Sequence, residues 1–139
     1  MNMCIDVKQN LDRVIVKILR NPESCDELDQ FLQLHGRLLQ ENHDLKQNVL
    51  VYFDVRELEF DFFCTTVYVP KVLAHFISKR ELSDEVLFGC AVCVNNGAAA
   101  TIIQGLIDAN PGKVPTFIST QELECKLFLR KCRERKKPC

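Results

Sequence analysis

Two stretches decide the fold: Val49-Leu50-Val51-Tyr52-Phe53 and Leu87-Phe88-Gly89-Cys90-Ala91-Val92-Cys93-Val94. Both are apolar at successive positions, and successive side chains of a strand point to opposite faces of its sheet. A strand that is apolar on both faces needs cover on both, which places it in the interior of a parallel sheet flanked by helices. Each run is strand-sized and far short of the ~20 residues that a membrane-spanning helix needs.

The flanking sequence supplies the rest of the layers. Met3 to Gln9 and Arg13 to Leu19 form two β-like runs around the turn Asn10-Leu11-Asp12. In the second run Val14, Val16 and Ile18 alternate with Ile15, Lys17 and Leu19, so the segment predicts a hairpin. After Asn21-Pro22-Glu23, Ser24 and Glu27 have the spacing of a capping box, opening a helix whose stripe is Leu28, Phe31, Leu32, His35, Leu38 and Leu39. A second helix carries Val69, Val72, Leu73, Phe76 and Ile77, with Pro70 in a first turn where its missing amide costs nothing. A third carries Ala99, Ile102, Ile103, Leu106 and Ile107 and stops at Asn110-Pro111-Gly112.

Val114-Pro115-Thr116-Phe117-Ile118 is the last strand, and Pro115, which cannot donate to a ladder, predicts an edge position or a strand that starts there. Ser119 and Glu122 repeat the capping-box spacing ahead of a final helix expected to turn Leu123, Leu127 and Phe128 inward. The order is ββ-α-β-α-β-α-β-α, an α/β domain with a mixed, mostly parallel sheet and about four helices. Residues 1–130 are expected as a single domain, and 131–139 as a basic tail into which the last helix frays.

Composition bounds the function. Of 139 residues, 47% are apolar and 27% charged, the balance of a globular chain. Lys+Arg 18 against Asp+Glu 19 leaves a net charge of -1, so no global field draws the protein to nucleic acid or an anionic membrane. The start Met1-Asn2-Met3-Cys4-Ile5-Asp6 has no basic, then apolar, leader, so a cytoplasmic location is expected. There the eight cysteines are free thiols or ligands by default, not a disulfide framework.

The order and lengths of the elements resemble the STAS domain and the sporulation anti-sigma factor antagonists. The resemblance rests on Cys4-Ile5-Asp6-Val7 and Val14-Ile15-Val16-Lys17-Ile18 for the opening β pair. It continues through Val49-Leu50-Val51-Tyr52-Phe53-Asp54-Val55-Arg56, like the family's apolar strand ending in Asp, and Leu87 to Asn96, like its next strand. It implies helices mainly on one face of the sheet and a habit of binding other proteins. The family's Asp-Ser-Ser-Gly-like loop, whose serine is phosphorylated, corresponds here to Asp61-Phe62-Phe63-Cys64-Thr65-Thr66. That segment holds no serine and no glycine, so Thr65 and Thr66 are its only hydroxyls.

In a parallel sheet the loops leaving the carboxyl ends of the strands carry function. They offer Asp54, Arg56, Thr65, Thr66, Asn95, Asn96 and Gly97 as a partner-binding edge. Asn95 and Asn96 are equally suited to capping a helix. The start of the third helix, Asn95-Asn96-Gly97-Ala98-Ala99, is an alternative site for an anion or nucleotide, although it lacks the lysine and spaced glycines of a P-loop.

Cys90 and Cys93 form a C-x-x-C, but inside a strand their side chains point to opposite faces and can neither pair nor share an ion. Cys4, Cys25, Cys64, Cys125, Cys132 and Cys139 are scattered without the close pairs of a zinc site, Cys139 being the thiol most open to artefactual oxidation. His35 interrupts an apolar stripe, as a core histidine does, and no Ser-His-Asp or Cys-His set stands out. The basic run after Arg130 matches a solvated helix end better than a nuclear signal, since cations favour a helix C-terminus. The expectation is a protein-binding module without metal or cofactor, able to self-associate through exposed faces. An anion-binding domain is the alternative, and a thiol enzyme a third reading.

Overall fold

A computed structural model describes residues 5–136, so the expectations placed on Met3, Cys4 and Cys139 fall outside the described residues. The chain forms an α/β domain around a five-stranded sheet in the order β1-β2-β3-β4-β5. The strands are β1 (Ile5–Asn10), β2 (Arg13–Ile18), β3 (Val49–Asp54), β4 (Leu87–Cys93) and β5 (Thr116–Ser119). β1 and β2 pair antiparallel, and the other three pairings are parallel. β3, apolar on both faces, is the central strand, and β5 lies at an edge, as Pro115 requires.

The helices are α1 (Cys25–Asp44), α2 (Val69–Ser78), α3 (Arg80–Val86), α4 (Gly97–Ala109) and α5 (Glu122–Lys136). A π-helical turn, Cys64–Tyr68, leads into α2. The expected order therefore holds, with one helix more than anticipated. The short α3 is polar over most of its length, Arg80-Glu81-Leu82-Ser83-Asp84-Glu85-Val86, and escapes an apolar-stripe reading. Its end is fixed by Asn48, whose side-chain amide donates to the carbonyls of Glu85 (2.8 Å) and Val86 (3.2 Å).

The sheet separates two unequal cores. On one face Val14, Val16, Ile18, Val51, Phe53 and Val92 meet Leu39 of α1, Val86 of α3 and Ala99 of α4. On the other, Leu50, Tyr52, Ala91 and Cys93 meet only α5, through Cys125, Leu129 and Cys132. Four helices thus cover one face and one covers the other. The strand alternation sends Cys90 and Cys93 into different cores, as their spacing demands.

Three expectations for the last helix are corrected. Its buried stripe is Cys125, Leu129 and Cys132, while Leu123 and Leu127 are exposed; of the expected set only Phe128 turns inward, stacking on Phe117 with ring centroids 5.2 Å apart. At Cys132 the small side chain passes close over Gly89 of β4. Ser119 does not form a box with Glu122: its hydroxyl accepts the Gln121 amide at 3.0 Å and donates to Glu124 at 2.5 Å. Finally, the helix runs on through Lys136 instead of fraying after 130. Cys132 is buried against Gly89, and Arg133 makes a two-pronged contact with Asp12 at 3.0 and 2.5 Å, tying this end to the β1–β2 turn.

Candidate functional site

At the carboxyl ends of the strands the structure divides the expected edge into three spots. The first is a charged chain. Asp54 ends β3 and is only 7% exposed; its carboxylate receives Arg56 Nε at 3.0 Å, Nη2 at 2.8 Å and the Arg56 backbone amide at 3.2 Å. Arg56 also lies 3.7 Å from Glu122, which pairs with Lys126 at 2.9 Å. Hydrogen bonding from Arg56 holds the Asp54 carboxyl below the usual carboxylate range, against the opposing effect of burial. The same pairing pushes the guanidinium further up. Asp54 is thus a committed anion with its lone pairs in use, which suits it to fixing the β3 exit and not to proton transfer.

Beside this chain the Tyr52 hydroxyl is buried and has no hydrogen-bond partner among the described residues, although it borders the Cys93 thiol. Burial, with Cys93 alongside, pushes its pKa up.

The second spot is the start of α4. Asn96 Oδ1 accepts the Ala99 amide at 2.8 Å, a plain N-cap. One amide that an anion would use is therefore already occupied. Asn95 and Gly97 are exposed, and a Cβ built on Gly97 meets nothing within 4 Å, so the glycine is not making room for a ligand.

The third spot is the π-helical turn. Thr65 and Thr66 are exposed; the Thr65 amide donates to Asp61 O at 2.9 Å and the Thr66 hydroxyl to Phe62 O. Beneath them Cys64 and Tyr68 are buried against Leu28 and Leu32, and the Tyr68 hydroxyl donates to Pro22 O at 3.0 Å. π-helical turns cost regular hydrogen bonding and recur at functional sites. Among the described residues no hydrogen bond or ion pair joins Thr65 or Thr66 to Asp54, or either group to Asn96.

Two features were missed by sequence reasoning. Next to the threonines, Phe62 is 85% and Phe63 54% exposed; Phe63 packs edge-on to Tyr68 with centroids 5.1 Å apart, while Phe62 projects outward. The signal was present as two adjacent aromatics in a loop between an aspartate and a pair of threonines.

The second is a trough of about 540 Å3 on the four-helix face, floored by Phe53 and Val92 and walled by α2 and α4. Its volume lies within the range of ligand pockets. α2 has no fully buried residue and α4 only Ala99, so the stripes that predicted these helices face open space as much as the sheet. Periodicity showed that those stripes exist, but not how tightly they close.

His35 lines the same trough and is buried. Its Nδ1 lies 3.0 Å from Nε2 of His75, and its ring packs on Phe76 (4.8 Å) and Phe53 (6.0 Å). Burial, then the neighbouring His75 and Lys79, bring the His35 pKa down to about 3; burial and Lys79 also lower His75. The pair satisfies itself, as a core histidine should.

Among the described residues no group of three or more His, Cys, Asp or Glu side chains gathers to hold a metal ion. Nor is any helix among them long and apolar enough to cross a membrane. Comparison of the chain with protein-family models, curated proteins and solved structures finds no match.

Proposed function

We propose that this protein is a non-catalytic interaction module that binds another protein through the surface formed by Phe62, Phe63, Thr65 and Thr66. The observation that carries the reading is the exposed phenylalanine pair, seated on a turn anchored from below by Cys64 and Tyr68. Burying an aromatic side chain at an interface is among the largest single contributions to affinity, and aromatic anchors on rigid supports lose little entropy on binding. An element order resembling the STAS domain supports the same reading. The partner should offer an apolar pocket for Phe62 and polar groups for the two hydroxyls.

The anion-binding alternative is not favoured by the α4 terminus, where Asn96 already fills a cap position. The test is affinity capture followed by titration of the purified partner against wild type, a Phe62→Ser/Phe63→Ser double variant and Asn96→Ala. The double variant should weaken binding at least tenfold with an unchanged circular dichroism spectrum, and Asn96→Ala should bind normally. A partner that binds the double variant as tightly as wild type would refute the assignment.

A further inference from the structure

β1 forms one edge of the sheet, and among the described residues β2 is the only strand beside it. The opposite edge, β5, is four residues long and follows Pro115, which can donate to no ladder. β1 has six residues and no proline; Asp6, Lys8, Gln9 and Asn10 are exposed and Val7 is half-buried. Such an edge presents unpaired amides and carbonyls to any strand that can align with it.

Which groups face outward follows from the pairing on the inner side. The Leu50 amide donates to Asp12 O at 2.7 Å, with Arg13 aligned to Leu50 in the parallel β2–β3 ladder. The backbone of Val14 and Val16 therefore serves β3, and that of Arg13, Ile15 and Lys17 turns toward β1. Their partners Asn10, Lys8 and Asp6 are engaged in that ladder. Ile5, Val7 and Gln9 keep amides and carbonyls directed outward.

The side chains select the strand that fits. Ile5 and Val7 join the core on the four-helix face, so Asp6 and Lys8 lie on the other, 3.9 Å apart and both exposed. When a second β1 lies antiparallel with Val7 opposite Val7, Asp6 of each copy faces Lys8 of the other, and outward groups meet outward groups. These opposed charges fall at the positions where side chains approach most closely across a ladder. Sliding one strand by a single residue sets an outward amide against a backbone already engaged. Sliding it by two puts Asp6 against Asp6 or Lys8 against Lys8. Charges on an edge strand guard against indiscriminate pairing, and here they reject other registers while admitting the strand's own copy.

We propose that β1 is a homodimerisation edge, at which two copies of the chain pair their β1 strands antiparallel about Val7 with reciprocal Asp6–Lys8 contacts. About six backbone hydrogen bonds form, two at each outward-facing pair, and the two sheets become continuous. The two-fold relation closes the assembly at a dimer. The edge uses none of the residues of the Phe62–Phe63 surface, so the two assignments fail separately.

Sedimentation equilibrium of the full chain over a range of concentrations reads the association. Wild type should be a reversible monomer–dimer system. Val7→Pro should be folded and monomeric, because the amide it removes points outward and serves no ladder within the monomer. Asp6→Lys and Lys8→Asp each turn both attractive contacts repulsive, and each alone should weaken dimerisation by about tenfold. Mixed one to one, these two variants should associate as tightly as wild type, because every lysine then faces an aspartate. The mixture also decides the matter should Val7→Pro not fold. Phe62→Ser/Phe63→Ser should dimerise like wild type. A chain that stays monomeric throughout, a dimer untouched by Val7→Pro, or charge variants that do not recover on mixing overturns the proposal. So does loss of the dimer in Phe62→Ser/Phe63→Ser, which would place self-association at that surface instead.

Discussion

Nδ1 of His35 on α1 and Nε2 of His75 on α2 lie 3.0 Å apart, a contact between imidazoles that joins two helices on the rim of the trough. One ring must donate to the other, which two neutral rings do well and two protonated rings cannot. The contact is therefore broken only when both rings are protonated, and burial holds both toward the neutral form. Lys79, which bears on both rings, disfavours protonation further.

The pair makes stability depend on pH with a definite sign. The His35 pKa is about 3 in the folded protein against an ordinary 6.5, so between these values the unfolded chain binds a proton that the folded chain does not. Stability is then complete above about pH 6.5 and falls as the pH drops toward 3, with a slope approaching about 1.4 kcal/mol per pH unit for each such proton. His75, lowered in the same direction, adds to the loss. Urea midpoints between pH 7 and pH 4 should fall in wild type and change less in His35→Leu/His75→Leu. Parallel curves for the two proteins would show that the histidines do not set the dependence.

Gly89 and Cys132 predict a second outcome. A Cβ placed on Gly89 would stand 2.8 Å from both Cys132 Sγ and Leu50 Cδ2, closer than packed atoms allow. Gly89→Ala should therefore cost about 1–3 kcal/mol by overpacking, despite the better strand propensity of alanine. Cys132→Ala in the same chain should recover part of that loss in chemical denaturation, because it removes the sulfur that the new methyl meets. If the two substitutions are simply additive, α5 does not sit on β4 as described.

The thiols give a third. Burial pushes both Cys90 and Cys125 up to about 12, so neither is a thiolate at neutral pH. Thiolates and not thiols attack electrophiles. Iodoacetamide labelling of the native protein at pH 8, read by peptide mass spectrometry, should leave Cys90 and Cys125 unmodified until the chain is denatured. Rapid native labelling of either residue would revive a thiol-enzyme reading.

How much of this was legible beforehand varies with the kind of signal. The interior strands were plain, because runs such as Val49 to Phe53 leave a chain few alternatives. The opening hairpin was equally plain from the alternation of Val14, Val16 and Ile18. α5 was misphased because the reading followed its leucines and passed over its cysteines, whereas at this contact fit decides: with Gly89 the strand has no side chain to hold the helix off, and the small thiol of Cys132 fills the gap. α3 was missed because its two turns carry only Leu82 and Val86 as apolar residues, too few to stand out as a stripe. At the site, Asp54 and Arg56 were read as part of a partner-binding edge, and in the structure they satisfy each other. The Phe62–Phe63 surface and the trough depend on how completely helices close over a sheet, and periodicity carries no information about closure.

The trough rests on unequal packing, with α5 locked onto the sheet while α2 and α4 stand loosely around it. Hydrogen exchange of the native protein measures that difference directly, since amides in loosely packed elements exchange through small local openings and those in tightly packed ones only through large openings. Amides of β3, β4 and α5 as far as Arg133 should exchange only with global unfolding, and those of α2 and α4 at markedly lower opening free energies. Protection of α2 and α4 equal to that of α5 would mean that the trough is closed in solution, and would contradict the account.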